Sequence, residues 1–522
     1  VIMVLADREG REHQLVVNRI LDGAAELSAG TQQVTVPLGE LLTLWYGEYL
    51  LLWRPEAGDG RAGDAALELA ELRAAEKTHG KFESIELLIP DLSGVLRGKR
   101  IRRSDFEKCA KGGFVFCAGA TLLNTLGEVT TGVPYGADDG DPDLPARLVP
   151  GSIAPVPWAS KPMGQAFFRI VDEDGGDFFG DPRTVLENAL KPLKKRGISP
   201  VVATELEFYL LDATSDSIRI GAPKVPGTDR PQPGPQVYLP EDLFEVEGFL
   251  DDVYDWCEAQ NVPAEAAISE YSPGQFEINL HHVDDAVLAC DHAVMLKRII
   301  KAAARKHGFI ACFMAKPFAD DSGSGLHIHM SLVDKSGKNY FSHSKEKMAL
   351  PPFSARLRHA VGGLLKLMPE STAIFCPNAN SYRRLRPDSF APVEPNWGVN
   401  HRVVSVRIPE SDEDNLRLEH RVAGADANPY LVMAVVAAGV HYGMRYRVDP
   451  GDMVEQGAEI VPQLEIPNRW DAALDLFEES DVLREYLGED YCRYYTMVRR
   501  AESQKFHNHI SQLDFDWYLR AV

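Results

Sequence analysis

The sequence predicts an α+β protein, in which a β-sheet is covered by helices and preceded by a small β-rich segment. From Asp181 to the C-terminus, strand-like and helical stretches alternate. Residues 82–101, FESIELLIPDLSGVLRGKRI, predict a strand, a tight turn and a second strand. Residues 1–54 contain the strand-like runs VIMVLA, HQLVV, QQVTV and EYLLLW. The chain has 522 residues, enough for two or more domains.

Helix-capping residues mark three helices in the C-terminal part. An Asp or Asn cap followed by Pro predicts a start, and Gly predicts an end. The predicted helices run from Asp181-Pro182 to Gly197, from about His292 to Gly308, and onward from Asn428-Pro429. Near the N-terminus, the segment PEAGDGRAGDA predicts a flexible linker, and a charged helical stretch follows it to about His79.

Composition excludes several classes of function. The net charge of −22 argues against nucleic acid and anionic membranes as partners. Seven cysteines without a CxxC pair fit a reducing cytoplasm better than a disulfide framework. The longest apolar stretch, residues 431–440, is too short to cross a bilayer, and no signal-peptide pattern occurs. We therefore expect a cytoplasmic protein.

Carboxylates and histidines recur in four separated segments that contain no cysteine. In TELEFYLL, Glu205 and Glu207 would point to the same face of a strand that otherwise looks buried, and two such carboxylates repel unless a cation neutralises them. The other three segments, EYSPGQFEINL, GSGLHIHMSL and RLEHR, contribute Glu270, Glu277, His327, His329 and Glu419. Oxygen ligands with a little imidazole suit Mg²⁺ or Mn²⁺ better than zinc, so the sequence predicts a divalent-metal site and phosphate chemistry.

Other nucleotide-binding and hydrolase signatures are absent from the sequence. No GxxxxGK[ST] motif occurs, and no GxGxxG follows a strand. No GxSxG motif supports a Ser-His-Asp hydrolase. Nucleotide binding would therefore depend on the metals and on arginines, whose planar guanidinium groups match phosphate and carboxylate.

Between Lys81 and the C-terminus, seven motifs follow one another in a fixed order: DLSGVLRGKR, TELEFYL, EYSPGQFEINL, GSGLHIHMSL, NSYRRLRP, VSVRIP and RLEHRVAGADANPY. In these motifs and in their order, this part of the chain resembles the glutamine synthetase family. Within the family, the chain looks most like the γ-glutamylpolyamine synthetases, also called glutamate–putrescine ligases. Separately, LLTLWYGEYLLLWRP resembles the end segment of bacterial secretion-pathway ATPase proteins.

The resemblance implies a glutamine synthetase-like fold with a β-grasp domain and a catalytic domain built on a curved antiparallel sheet covered by helices. The implied divisions are an extra β-rich module at 1–54, a linker at 55–79, the β-grasp domain at 80–180 and the catalytic domain at 181–522. Active sites in this family form between neighbouring subunits of a double ring, so the resemblance implies a homo-oligomer of twelve subunits.

Ligand roles also follow from the resemblance. It implies one metal held by Glu207, Glu270 and Glu277, and a second, facing the ATP phosphates, held by Glu205, His327 and Glu419. Glutamate would be bound by Arg384, Arg421 and the backbone at Gly323. The transferred phosphoryl group would be stabilised by Arg402, and the nucleotide would be bound by Arg407, Arg417, His329 and Ser331.

Two departures from the family concern ammonia. Glutamine synthetases proper carry a flap glutamate six residues after the glutamate-binding arginine, whereas Phe390 stands six residues after Arg384. An aspartate that helps to bind ammonium should fall near residues 116–121, FCAGAT, which contain no acid. Ammonium needs carboxylates to bind it and accept its proton, whereas Phe390 can contact the hydrocarbon tail of an organic amine.

The predicted function is an ATP-dependent ligase that joins the γ-carboxylate of glutamate to an amine through a γ-glutamyl phosphate. A polyamine such as putrescine is the first candidate acceptor. The alternatives are a monoamine or ethanolamine as acceptor, a glutamine synthetase that uses ammonia, and a glutamine synthetase-like structural protein without catalysis.

Overall fold

The computed structural model describes residues 60–212, 218–221, 224–225, 228–230, 234–342, 354–387, 389–457 and 465–522, and the backbone of 2–6, 12–21, 24–29 and 32–37. These residues form two compact units. One comprises the described part of 1–82 together with 101–114, and the other comprises 83–100 together with the described part of 115–522. The divisions at residues 54, 79 and 180 stay predictions.

The first unit contains an antiparallel meander of four strands, in the order β1-β2-β3-β4, and two helices. The elements are β1 (Ile2–Ala6), β2 (Glu12–Leu21), β3 (Ala24–Ala29), β4 (Gln32–Pro37), α1 (Gly60–His79) and α2 (Arg103–Gly112). The strands predicted at VIMVLA, HQLVV and QQVTV are confirmed, β3 was not predicted, and EYLLLW lies outside the described residues. Helix α1 packs against α2, where Arg103 Nε lies 2.7 Å from Glu76 Oε1.

A six-stranded sheet has the order β6-β5-β10-β8-β7, with β9 pairing to β10. Its strands are β5 (Ser84–Pro90), β6 (Leu96–Arg102), β7 (Phe114–Cys117), β8 (Asp143–Leu148), β9 (Ala154–Pro155) and β10 (Met163–Ile170). The predicted turn between β5 and β6 is held by Asp91, whose carboxylate accepts hydrogen bonds from the backbone N–H groups of Ser93 and Val95, each at 2.9 Å. This is the local bonding that makes Asp a turn residue.

An eight-stranded sheet forms the frame of the second unit. Its order is β12-β13-β11-β15-β18-β17-β16, with β14 pairing to β11. Every pairing is antiparallel except β16 with β17. The strands are β11 (Ile198–Asp212), β12 (Ala264–Ser269), β13 (Gln275–Leu280), β14 (Phe309–Cys312), β15 (Leu326–Asp334), β16 (Trp397–Val399), β17 (Val406–Ile408) and β18 (Leu418–His420). This arrangement confirms the predicted α+β class.

Helices pack against this sheet and against one another. They are α3 (Pro182–Lys195), α4 (Pro240–Phe244), α5 (Glu247–Ala259), α6 (Ala286–Lys306), α7 (Ala355–Phe375), α8 (Pro429–Tyr446), α9 (Trp470–Glu479), α10 (Asp481–Leu487), α11 (Glu489–His507) and α12 (Gln512–Tyr518). The predicted caps Asp181 and Asn428 are confirmed, because each side chain accepts a backbone N–H of its helix. The predicted start of α6 near His292 was wrong, because Asp285 caps the helix by accepting from Val287 and Leu288.

The apolar stretch at 431–440 belongs to α8, a core helix that packs against α3 and α7. Glycines let α7 and α8 approach closely, since a Cβ on Gly363 would lie 2.1 Å from the carbonyl oxygen of Gly439. None of the helices that the structure describes is both long and apolar enough to cross a membrane. All seven cysteines are free thiols.

One buried ion pair joins three of the helices. Asp291 on α6 accepts from the Arg183 guanidinium on α3 and, at 2.5 Å, from the Tyr430 hydroxyl on α8. Removing one partner of such a pair leaves an uncompensated buried charge.

Asp291→Ala should therefore lower the free energy of unfolding by about 3–5 kcal/mol, as measured by urea denaturation. The exposed neighbour Asp284 provides the control, since Asp284→Ala should stay within about 0.5 kcal/mol of wild type; equal effects of the two variants would contradict this account.

Candidate active site

Cross-strand register brings the predicted metal ligands together on one face of the large sheet. In the antiparallel pairs around β11, Glu207 stands directly opposite Glu277 on β13, and Glu205 stands opposite His327 on β15. Side chains that are directly opposite share a face and lie close together. Because Glu205 and Glu207 are two residues apart on one strand, both pairs lie on the same face, as the sequence predicted.

These residues, Glu277, Glu207, Glu205 and His327, form a row that continues across the next two strands. His329, two residues after His327, stands opposite Glu419 on β18, and Glu419 stands opposite Arg407 on β17. Ser331 is the third alternate residue of β15 and therefore belongs to the same face. Acidic, imidazole and guanidinium groups thus follow one another along a single line across the sheet.

Hydrogen bonds fix the carboxylates within this row. Glu205 Oε2 lies 3.0 Å from His327 Nδ1, and its Oε1 lies 2.8 Å from His329 Nε2. Glu207 Oε2 accepts the backbone N–H of Gly325 at 2.8 Å, and its Oε1 lies 3.8 Å from His327 Nε2. The two strand glutamates are therefore bonded differently, one by imidazoles and the other by backbone.

The acids at the β13 side are crowded by like charges. Burial, followed by the charges of Glu205, Glu207 and Glu270, raises the pKa of Glu277 well above its usual value. Burial, and then the charge of Glu207, raises the pKa of Glu270 to about 7. At Glu205 burial acts in the same direction, but hydrogen bonds from His327 and His329 outweigh it and hold the pKa well below the usual value.

This donor set fits hard divalent cations. Two groups place one possible ligand atom per residue within 4.8 Å of one another: Glu205 with Glu277 and His327, and Glu205 with His329 and Glu419. Carboxylate oxygens with one imidazole per group match Mg²⁺ or Mn²⁺, and a buried acidic cluster is relieved by a cation. Glu205 belongs to both groups and so stands between two candidate positions.

The predicted division of ligands between two ions differs in part from these groups. Glu207 and Glu270 lie outside both groups, although Glu207 contacts His327 and its charge acts on Glu270. His329, predicted near the nucleotide, lies within one of them. Assigning each ligand to a particular ion stays a prediction.

Arginines contact the far end of the row. Glu419 is fully buried between Arg421, whose Nη1 donates to it, and Arg407, whose Nη1 lies 3.0 Å from it. Despite burial, the charge of Arg421 holds the pKa of Glu419 below its usual value. The Nε atoms of Arg407 and Arg421 are buried and have no hydrogen-bond partner among the described residues. These unsatisfied donors are suited to an anionic ligand.

The other predicted anion-binding arginines lie around the same face. Arg417 Nε is 3.3 Å from His329 Nδ1. Arg384 is buried and donates from Nη1 to the Val422 carbonyl oxygen at 2.7 Å. Gly323 lies directly against Arg384, because a Cβ there would be 2.7 Å from the Arg384 Cγ. Only glycine allows the backbone to approach this closely.

Arg402 and Phe390 lie at the exposed margin. Arg402 is exposed, and its positive charge acts on Glu270. Phe390 is 61% exposed, and its ring contacts the Tyr271 ring, with centroids 4.7 Å apart. All the predicted site residues therefore belong to the second unit, and the large sheet with its adjoining loops carries them.

Gln275 and Tyr271 were not predicted as site residues. Gln275 Nε2 donates to the Gly323 carbonyl oxygen at 3.0 Å and lies 3.5 Å from Glu207 Oε2. Gln275 lies in the motif EYSPGQFEINL between two predicted ligands. This position is the sequence feature that could have indicated a role in the site. Nothing local in the sequence pairs Tyr271 with Phe390, which is 119 positions away.

Comparisons with known proteins agree on one family. The sequence profile of "Glutamine synthetase, catalytic domain" matches residues 179–518. The chain is 39% identical to gamma-glutamylputrescine synthetase PuuA of Escherichia coli (strain K12), over 89% of this chain and 97% of that protein. It is 31% identical to a glutamate–isopropylamine ligase of Pseudomonas sp, over 84% of this chain and 96% of that protein. The solved GmaS/ADP complex has a TM-score of 0.73 and 25% identity, covering 86% of this chain and 99% of that one.

Proposed function

Because the chain belongs to the glutamine synthetase family, we propose that it is an ATP-dependent ligase that joins the γ-carboxylate of glutamate to an organic amine, with putrescine or a longer polyamine as the physiological acceptor. The observation that carries this proposal is the row of acids, imidazoles and guanidinium groups across five strands. A row of this kind places a cation-binding region directly beside an anion-binding region. Phosphoryl transfer to a carboxylate requires both.

The proposed roles divide the site between metal ligands and nucleotide-binding residues. Mg²⁺ or Mn²⁺ would be held by Glu205, Glu207, Glu270, Glu277, His327 and Glu419. The bound metal would neutralise charge on the phosphoryl group that passes from ATP to the glutamate γ-carboxylate. Arg407 and Arg417, with His329 and Ser331, would bind the nucleotide. His329 and Ser331 lie on β15, Arg407 lies on β17, and Arg417 immediately precedes β18, which pairs with both of these strands. The 3.3 Å contact of Arg417 with His329 also supports this grouping.

Glutamate would lie at the Gly323 side of the site. Arg384 and Arg421 would bind its α-carboxylate, and Gly323 would let the backbone approach the amino acid. The contact of Gly323 with Arg384 and the unsatisfied Nε of Arg421 support this placement. Arg402 would stabilise the transferred phosphoryl group, so that the neutral amine can attack the γ-carbonyl and phosphate can leave.

The acceptor is assigned from Phe390 and from the relatives. An acid at position 390 would help to bind ammonium and take its proton, whereas an exposed phenyl ring instead offers an apolar surface. Two similar proteins are described as acting on putrescine and on isopropylamine, which are both organic amines. A glutamine synthetase that uses ammonia is the second candidate. A structural protein without catalysis is disfavoured by the assembled site.

The test is phosphate release from ATP in the presence of Mg²⁺, glutamate and one amine at a time. We expect kcat/KM for putrescine or spermidine to exceed the values for ethylamine and ammonia. Phosphate release that depends on glutamate but is fastest with ammonia would identify a glutamine synthetase. No amine-dependent release would contradict the ligase assignment itself.

Phe390→Glu should shift the acceptor preference toward ammonia. A carboxylate beside the reacting carbonyl can take the ammonium proton, so ammonia activity should rise toward the ~100-fold that a positioned general base contributes. Polyamine kcat/KM should fall by about tenfold, since the apolar contact is lost. Phe390→Gln is the control, because it removes the ring without adding a proton acceptor. A rise in ammonia activity in both variants would contradict the base argument.

Assembly and location remain parts of the proposal. We propose a homo-oligomer, with twelve subunits as in the double rings implied by the family, and a cytoplasmic location. The seven free thiols are consistent with a reducing compartment.

A further inference from the structure

A rigid hairpin tip places Tyr271 at the margin of the site. Strands β12 and β13 are joined through Ser272-Pro273-Gly274-Gln275, and Gln275 N–H donates to the Ser272 carbonyl oxygen at 3.0 Å. Gly274 has a φ of +70°. Pro followed by a positive-φ Gly defines a type II turn, in which both central residues are conformationally restricted. Tyr271 immediately precedes this turn and is held by it.

Phe390 reaches the same place from a different segment. Ser389 Oγ donates to the Arg384 carbonyl oxygen at 3.0 Å, which ties the Phe390 segment to the proposed glutamate-binding arginine. The Tyr271 and Phe390 rings meet with an interplanar angle of 60°, yet they stay 42% and 61% exposed. Two large rings thus contact each other while a substantial part of each remains open to solvent.

The ring pair adjoins the proposed reaction centre. Tyr271 follows Glu270, a predicted metal ligand on which the charges of Glu207 and Arg402 act. At the other end of the turn, Gln275 reaches both Glu207 and the carbonyl oxygen of Gly323. An acceptor that approaches the γ-carbonyl of glutamate past Glu270 would pass these rings.

We propose that Tyr271 is a further specificity-determining residue, and that the Tyr271–Phe390 pair binds the carbon chain of the amine; this inference rests on the proposed function. The acceptor class is then a primary amine with an alkyl chain of several carbons. Moving methylene groups from water onto an aromatic surface lowers the free energy of binding. Ammonia has no methylene groups and gains nothing from such a surface.

A second ammonium group on the substrate would lie against the ring faces, which attract cations modestly at exposed sites. The two acids of the neighbouring loop, Asp320 and Asp321, interact with Lys316, so their charges are already partly balanced. We therefore expect a diamine to exceed the monoamine of equal chain length by only about fivefold, the effect of a weak cation–π contact.

The experiment compares ammonia, n-butylamine and putrescine as acceptors for wild type, Tyr271→Ala and Tyr271→Phe. Tyr271→Ala should lower kcat/KM for both alkyl amines by about tenfold and leave ammonia within about twofold of wild type. Tyr271→Phe should retain the wild-type pattern, because it keeps the ring. The matched control is Tyr446→Ala, which removes an exposed ring from a pair with centroids 4.6 Å apart on α8; it should change none of the three values.

The outcomes separate this inference from the proposed function. Equal losses for ammonia and both alkyl amines in Tyr271→Ala would show a merely structural role and overturn the inference. Unchanged alkyl-amine values would overturn it as well, because the ring would then make no contact with the chain. A wild-type protein without amine-dependent phosphate release would instead refute the proposed function.

Discussion

Replacing Glu277 with glutamine is expected to abolish the ligase reaction and, at the same time, to stabilise the metal-free protein. Glu277 is buried, stands directly opposite Glu207, and has its pKa raised by burial and by three neighbouring carboxylates. Like charges directly opposite each other in a sheet are destabilising, so their removal should raise the free energy of unfolding by up to about 1 kcal/mol. Loss of a metal ligand should lower kcat by ~1000-fold or more, since the metal supplies several kcal/mol of charge stabilisation.

Two stability measurements and an activity assay test this prediction. Denaturation in the presence of a chelator gives the stability of the metal-free state, and a Mg²⁺ titration of stability reports whether the variant still gains from metal. Wild type should be stabilised by Mg²⁺, as expected for an ion that binds only the folded state, whereas Glu277→Gln should gain much less. Glu258→Gln, an exposed change on α5, is the control. A variant that keeps near wild-type activity at limiting Mg²⁺ would remove Glu277 from the ligand set.

Glu419→Ala is expected to abolish activity with the opposite effect on stability. Glu419 is fully buried and paired with Arg407 and Arg421, so the variant leaves two largely buried guanidinium groups without their anion. Such a loss costs about 3–5 kcal/mol of folding stability. The same denaturation experiment should therefore show Glu419→Ala well below wild type, while Glu277→Gln is at or above it.

The comparison of these two carboxylates separates their electrostatic roles. Glu277 belongs to an excess of negative charge, whereas Glu419 is already neutralised by arginines in the metal-free protein. Glu413→Ala, an exposed acid in the loop before β18, should change neither stability nor activity. Equal stability losses at Glu277 and Glu419 would contradict this division of charge.

The ligand face was predictable from the sequence because strand geometry is local. The two-residue spacing of Glu205 and Glu207, and of His327 and His329, fixes which side chains share a face once the segment is a strand. The same reasoning cannot give register, which depends on the partner strand and its turn. The opposition of Glu207 to Glu277 and of His329 to Glu419 therefore emerged only from the structure.

Long-range contacts explain what the sequence did not predict. Arg407 and Arg421 were predicted to bind phosphate and glutamate, but no local pattern in the sequence indicates that both contact Glu419. The Tyr271–Phe390 contact likewise joins two loops that are far apart in the chain. Local cues also failed at the start of α6, which was predicted near His292 but is capped by Asp285.

The most direct test of the ligase assignment is a competition between acceptors in one reaction. The full chain is incubated with ATP, Mg²⁺ and glutamate, together with equal concentrations of ammonia, ethylamine, putrescine and spermidine, and mass spectrometry identifies the amide products. Because the acceptors compete at equal concentrations, the initial product ratios equal the ratios of their kcat/KM values. We predict that γ-glutamyl derivatives of putrescine or spermidine dominate and that ADP and phosphate form in equal amounts with them. Glutamine as the main product would contradict the organic-amine assignment and establish ammonia as the acceptor.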